Sequence, residues 1–379
     1  MPVSDGLLVT EVPASISPMA IDFDSDRWQR VRTNCELWWS GKLARPLIQV
    51  AGEGRDPGRD QCKIARESFL PSYGLDVPAE VVIDRLDYDL SCLEFPGDAF
   101  PHVFTNFGAG VAAAFLGARL ETRSNTVWFR ADCKSQIQDL RLEYDPSEAW
   151  LLRVKDICRA GVERWKGLVQ MSMTDLGGTL DILSTFRPGE QLLLDLYDHE
   201  EQVEGLIWDI HDLWFRYFDD IDAVLQPANP GWSAWPGFFS TEPHYMLQCD
   251  FAYMISPEMF DRFVRPELAA CCKRLANPFY HLDGEGQLAH LDSLLTINEL
   301  KGVQWVPGAG APDCRHWPEV YRKIRAAGKL IQIWPGDDLD YLDVIAEQIG
   351  SAEGIVVVGQ VPADKRDKLL HLLDRYGAA

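Results

Sequence analysis

From residue 46 onward, short apolar or β-branched runs alternate with longer stretches whose apolar positions recur at helical spacing, and Gly, Pro and Asp mark the joints. The runs predict strands over Pro46–Val50, Thr126–Arg130, Leu168–Met173, Gly231–Trp235, Pro278–Asp283, Gly302–Val306, Leu330–Trp334 and Gly354–Val358. Between the last of these the helical segments have clear stops. The stretch Trp317–Gly328 places Pro in its first turn, apolar side chains at Val320, Ile324 and Ala327, and Gly at its end. Repeated strand–helix alternation implies a parallel sheet with right-handed crossovers, either closed or doubly wound. Eight candidate strands favour an α/β fold of the TIM (β/α)8 barrel type over residues 46–379.

Residues 1–45 read as an N-terminal helical extension. Ser25 or Asp26 is placed to cap a helix running to Trp38 and Trp39. Adjacent positions point to different helix faces, so one Trp is expected on the barrel and the other on a rim or a subunit contact, as in a homodimer. Residues 51–125, with Gly108, Gly110 and Gly117 in an apolar stretch, are expected to form an irregular insertion near the barrel mouth. No repeat, low-complexity tract or linker divides the chain.

Composition narrows the class. Of the 379 residues 46% are hydrophobic, with 13 Trp and 17 Phe, which is ample for a large core, and no run has the apolar length of a membrane span. The opening Met1-Pro-Val-Ser-Asp-Gly lacks the basic and apolar regions of a secretory signal, and nine Cys lie scattered without a Cys-x-x-Cys pair. Both features point to reduced thiols in the cytoplasm. A formal charge of −22 repels nucleic-acid phosphates, which leaves a small molecule as the expected ligand.

Candidate chemistry clusters at strand ends. In Pro278–Gly284 the period-two alternation places His281 and Asp283 on one face and Leu282 on the other, and Gly284 breaks the strand. An imidazole and a carboxylate there can share a metal or act as an acid/base pair, and a hydrogen-bonded structural histidine is the alternative. Further zinc ligands must come from other strand ends; Cys249, Glu242 and His244 are chemically suitable, although a free Cys is commonly a small buried hydrophobe. Asp175 ends another strand, and Gly177 and Gly178 after it allow close backbone approach to a ligand or tight helix packing. Arg187 offers a positive charge for a substrate carboxylate or for a structural ion pair. Ser256, Pro257 and Glu258 make a helix start, which leaves Asp250 ahead of it for orienting a substrate or closing the loop. Gln304 and Trp305 end the next strand and Trp334 the one after, suggesting an aromatic pocket in which a flat ring stacks on Trp305 while Gln304 reads its edge.

Together, Asp175-Leu-Gly-Gly, Asp250 before Ser256-Pro-Glu-Met-Phe260 with Pro266, His281-Leu-Asp283-Gly284 and the closing Gly328-Lys329 strand resemble the uroporphyrinogen decarboxylase superfamily. The likeness spans roughly residues 145–375 and is greatest to the branch of corrinoid-dependent methyltransferases. It implies a TIM barrel with its pocket at the C-terminal ends of the strands. In that branch a His-x-Cys pair and a later Cys hold zinc; here position 281 matches the His, position 283 is Asp, and no Cys follows Cys314. The implied site is therefore a divergent one, with His281, Asp283 and Cys249 as the metal-binding candidates for zinc. The implied activity moves a methyl group between a small substrate and a corrinoid (cobalamin) on a separate corrinoid-binding protein. His281, Asp283, Asp175 and Asp250 would do the chemistry, with Gln304, Trp305, Trp334 and Arg187 contacting substrate. In the decarboxylase branch an N-terminal arginine-rich motif and a buried Asp bind the tetrapyrrole; that motif is not found here, although Arg119, Arg123 and Arg130 lie in the N-terminal half. Decarboxylation of a tetrapyrrole or other carboxylated substrate is the first alternative, and a non-catalytic ligand-binding barrel is the second.

Overall fold

The computed structural model describes residues 21–123, 126–132, 136–226 and 228–379. The first 20 residues of the predicted extension, including the stretch read for a secretion signal, and Cys133 lie outside them. Among the described residues eleven strands run in chain order: β1 Leu47–Glu53, β2 Leu93–Glu94, β3 His102–Phe104, β4 Arg119–Arg123, β5 Thr126–Arg130, β6 Gln170–Ser172, β7 His244–Gln248, β8 Asn277–Asp283, β9 Gly302–Val306, β10 Leu330–Ile333 and β11 Ile355–Val361. The protein is a mixed α/β structure built on a largely parallel seven-stranded sheet in the order β2-β1-β11-β10-β9-β8-β7. Within it β7 through β11 and β1 pair in parallel, and only the two-residue β2 runs antiparallel. A second parallel pair, β3 and β6, stands beside it.

The helix Pro318–Ala326 joins β9 to β10 and Tyr341–Ile349 joins β10 to β11, so their apolar faces cover the sheet. Hydrogen bonds of side chains and backbone tie the segment after helix Glu200–Leu225 to both sheets. Ser172 and Ser233 hydroxyls meet at 2.7 Å, Ser233 O accepts from Met173 N at 2.9 Å, and Gln49 Oε1 on β1 accepts from Phe239 N at 3.3 Å.

Several expectations are corrected. Gly231–Trp235 is not a strand: it makes one isolated bridge, Trp232 to Ser240, and runs as an irregular segment held by side chains. Thr126–Arg130 is a strand, but it pairs antiparallel with β4 in a separate two-stranded sheet, because the two strands are neighbours in sequence and local pairing is the cheaper closure. The region 51–125 is more than an irregular insertion. It holds the helix Ala79–Ser91 and β3, which is bonded to β6. Strand β7 carried no sequence signal, since His244–Gln248 has no β-branched residue; burial of all five side chains makes it a strand.

The helix Ser25–Trp39 is capped by Asp24, one residue before the expected position, whose Oδ1 accepts from Arg27 N at 2.9 Å. Of the two Trp at its end, Trp38 is buried and Trp39 is half-buried. Trp38 donates to Ile355 O at 3.2 Å and Trp39 to Phe239 O at 2.9 Å. Their rings pack among Phe238, Phe279 and, for Trp39, His244. Since His244, Phe279 and Ile355 lie at or near the starts of β7, β8 and β11, this helix seals the N-terminal edge of the sheet and leaves the C-terminal edge open. Among the described residues no helix is long and apolar enough to cross a membrane.

This packing yields a stability prediction. Trp38→Ala empties a fully buried site and is expected to cost about 3–5 kcal/mol, read as a lowered urea midpoint. Trp128→Ala, at a half-exposed hairpin position, is expected to stay within about 0.5 kcal/mol.

Candidate functional site

The register of β7 on β8 pairs Gln248 with His281, so two residues further on Asp250 comes level with Asp283. His281 and Asp283 share one face of β8, as alternation requires. One side-chain donor atom each from Asp250, His281 and Asp283 lies within 4.8 Å of the others. The Nε2 of His281 stands 3.9 Å from Asp283 Oδ2, with His281 nearly buried and Asp283 partly open to solvent. Trp235 sets its ring edge-on against the imidazole, 4.9 Å between centroids.

Beneath the histidine a chain of buried amides decides its protonation. Gln332 Nε2 donates to the backbone carbonyl of Ile333 at 2.9 Å, and a carbonyl can only accept. The Oε1 of Gln332 is therefore the atom facing Gln304, and it accepts from Gln304 Nε2. That turns Gln304 Oε1 toward His281 Nδ1, which must carry the proton in this contact. The other ring nitrogen, Nε2, is then bare when the imidazole is neutral. Burial pushes the His281 pKa down, against the opposing pull of Asp283, so the neutral form is favoured. The bare nitrogen points toward the two carboxylates.

Two further carboxylates crowd the same mouth. Asp175 follows β6 and takes the amide of Gly177 on its Oδ1 at 2.9 Å. Asp181, in the first turn of helix Thr179–Phe186, accepts the backbone amides of Asp250 at 3.0 Å and Phe251 at 2.7 Å, and so holds the loop that presents Asp250. Burial raises the Asp175 carboxyl to about 7, with Asp181 adding to the effect. Burial and the charge of Asp250 raise Asp181 to about 7. Asp250 is raised to about 6 by desolvation, then by Asp283 and Asp175, although its outer edge meets solvent. The arrangement can bind a divalent cation through His281, Asp250 and Asp283. It also keeps proton-exchanging carboxyls close to neutral pH.

Two cavities flank these groups. One of about 250 Å³ is bordered by Gln49, His102, Trp235 and Trp334, and an open groove of about 670 Å³ by Asp283, Pro307, Pro312, Trp334 and Tyr341. Trp334 and Gln360 belong to both, and among the described lining residues there is no Lys or Arg.

The other expected site residues lie elsewhere. Trp305 does not stack on a ligand: neighbours on a strand face opposite ways, and Trp305 packs buried against Trp317 while Gln304 supports His281 from below. Cys249 is buried beside the cluster, burial holds its thiol well above the usual range, and Asp250 next to it supplies the third donor. His244 starts β7, about 13 Å along the strand from the level of His281 at ~3.3 Å per residue, and is bonded to Asn277 O at 2.6 Å. Arg187 is held by Asp195 in a two-point ion pair at 2.5 and 3.0 Å. Arg119, Arg123 and Arg130 gather around Glu121 on the exposed hairpin. The two glycines after Asp175 make room for protein backbone. A Cβ on Gly177 would meet Gly110 Cα at 2.6 Å, and one on Gly178 would meet Gln248 O at 2.2 Å.

Sequence reasoning missed Asp181 and Trp235. Only the spacing of Asp181 six residues after Asp175 hinted at the first; nothing local marked the second. No protein-family model matches the chain, and no curated protein matches it.

Two predictions follow the geometry. Carboxyls raised above their unfolded value of 3.8 to about 7 bind more protons in the folded chain, so stability is greatest in mild acid and falls as pH rises through that window. Thermal midpoints in metal-free buffer are expected to decline from pH 5 to pH 8, and zinc to restore more of the loss at pH 8. Gln304→Leu removes the acceptor for Nδ1, and 15N NMR of the imidazole is expected to show a mixture of tautomers in place of the Nδ1–H form. Zinc affinity at this site should then fall by about 10- to 100-fold, the usual cost of losing such a support.

Proposed function

We propose that the chain is a cytoplasmic (β/α)8-barrel enzyme of the uroporphyrinogen decarboxylase-like kind. It would move a methyl group between a small methylated substrate and a corrinoid carried by a separate protein. The six parallel strands β1 and β7 through β11 of the main sheet, with the parallel pair β3 and β6 beside it, add up to the barrel number, and the polar links through Gln49, Ser172 and Ser233 support closure. The observation that carries the functional reading is the convergence of Asp250, His281 and Asp283 at the C-terminal ends of adjacent strands, beside an open groove.

The donor set suits a zinc-like cation. It combines one imidazole nitrogen, left bare by the amide chain, with two carboxylates whose mutual repulsion a dication relieves. A bound cation would supply Lewis acidity at the heteroatom that carries the methyl group. The protein groups do the rest. Asp175 and Asp181 hold protons near neutral pH, Asp181 fixes the Asp250 loop through two amides, and Trp334 with the prolines of the groove gives a flat apolar wall for a macrocycle.

The charge pattern weighs against a carboxylated substrate. Asp283 lines the groove with Asp313 and Asp337, Asp250 stands beside it, and the described residues lining the two cavities include no Lys or Arg. A neutral or cationic methyl donor is the electrostatically compatible choice.

The test measures zinc content and methyl transfer together. The protein is expected to lose one zinc equivalent on His281→Ala, and to alkylate free cob(I)alamin from a methylated amine, ether or thioether, followed by absorbance. Activity of His281→Ala should fall at least 100-fold. Metal-free protein that decarboxylates a tetrapyrrole would overturn the proposal, and bound zinc without methyl transfer across the panel would assign a binding role instead.

A further inference from the structure

We propose a second metal site, formed by His211, Glu267 and Cys271, that holds a zinc-type cation between two outer helices. His211 lies on helix Glu200–Leu225, and Glu267 and Cys271 on helix Arg265–Arg274, one turn apart on the same face. One donor atom from each lies within 4.8 Å of the others. His211 Nδ1 is 2.8 Å and Cys271 Sγ 2.9 Å from the same Glu267 oxygen, and Sγ stands 3.6 Å from Nδ1.

The Glu267 carboxylate is the unusual part. It is 4% exposed, and among the described residues its one ion-pair partner is His211. A buried carboxylate is costly unless a cation compensates it, and no Lys or Arg of the described residues does so. The ring of His211 is fixed between Trp208 and Phe215, at 5.3 and 5.0 Å between centroids.

The geometry is close to that of a bound ion. Tetrahedral zinc with bonds of about 2.0–2.3 Å places its donors about 3.3–3.6 Å apart. The sulfur–nitrogen separation already meets this, and a movement of the Glu267 carboxylate by about 0.5–0.7 Å opens the other two. A thiolate, an imidazole and one carboxylate select zinc or cobalt over magnesium or calcium.

The site is separate from the mouth. The helix Arg265–Arg274 carries the chain from the open end of β7 back toward the start of β8, so Cys271 near its end lies toward the opposite edge of the sheet from His281 and Asp283. It uses no residue of the proposed catalytic cluster, and a cation here would staple two helices of the outer layer.

Cobalt(II) separates the two sites, because the mouth offers only nitrogen and oxygen donors. Titration of the metal-stripped full-length protein is expected to give a near-ultraviolet thiolate-to-cobalt absorption band that zinc abolishes. The band should persist in His281→Ala and vanish in Cys271→Ser, with folding checked by circular dichroism. His211→Gln, which keeps a hydrogen bond to Glu267, should weaken cobalt affinity at least tenfold. Zinc should raise the thermal midpoint of wild type and His281→Ala through this site, and that part of the rise should be missing in Cys271→Ser. A wild-type protein without the thiolate band, a band that survives Cys271→Ser, or unchanged affinity in His211→Gln would overturn the proposal.

Discussion

The amide chain from the Ile333 carbonyl through Gln332 and Gln304 to His281 ties β10, β9 and β8 together in the fully buried middle of the sheet. Buried amides that lack partners cost about 1–3 kcal/mol each, so the side chains are constrained to the register that satisfies them all. The same constraint orients the imidazole at the top of the chain. One polar network thus fixes strand register below and the chemistry of a nitrogen atom above.

Around that nitrogen, the mouth holds more negative charge than a stable fold would choose. Asp175, Asp181, Asp250 and Asp283 stand together, and the two cavities beside them, one of which Asp283 borders, have no arginine or lysine among their described lining residues. The fold contains the repulsion with backbone amides. Gly177 serves Asp175, and Asp250 and Phe251 serve Asp181. Sites that concentrate like charge in this way give up stability for function, and a cation is the natural ligand for them. The N-terminal helix contributes by sealing the far edge of the sheet with Trp38 and Trp39, which leaves the C-terminal edge as the open end.

From β8 onward the chain was legible from its pattern. Strands β8 to β11 match the predicted runs to within three residues, and the helix after Trp317 starts at the Pro that marked it. These elements announce themselves because side-chain alternation and helical spacing are local properties. The chain before β8 was harder. Strand β7 has no β-branched residue, β3 has three residues, and the segment at Gly231 is shaped by side-chain hydrogen bonds to distant strands.

The sequence by itself determined that His281 and Asp283 share a face, that the chain alternates strand and helix, and that it carries a strong negative charge. Each follows from nearest-neighbour geometry or from counting. Only the tertiary structure decided that Asp250 stands level with Asp283 and that Asp181 buttresses it. It also turned Gln304 into a support for His281, packed Trp305 away from the mouth and committed Arg187 to Asp195. Those outcomes depend on which strands pair and in what register. The pairing is set by burial and hydrogen-bond satisfaction among residues far apart in the chain, and no local pattern records it.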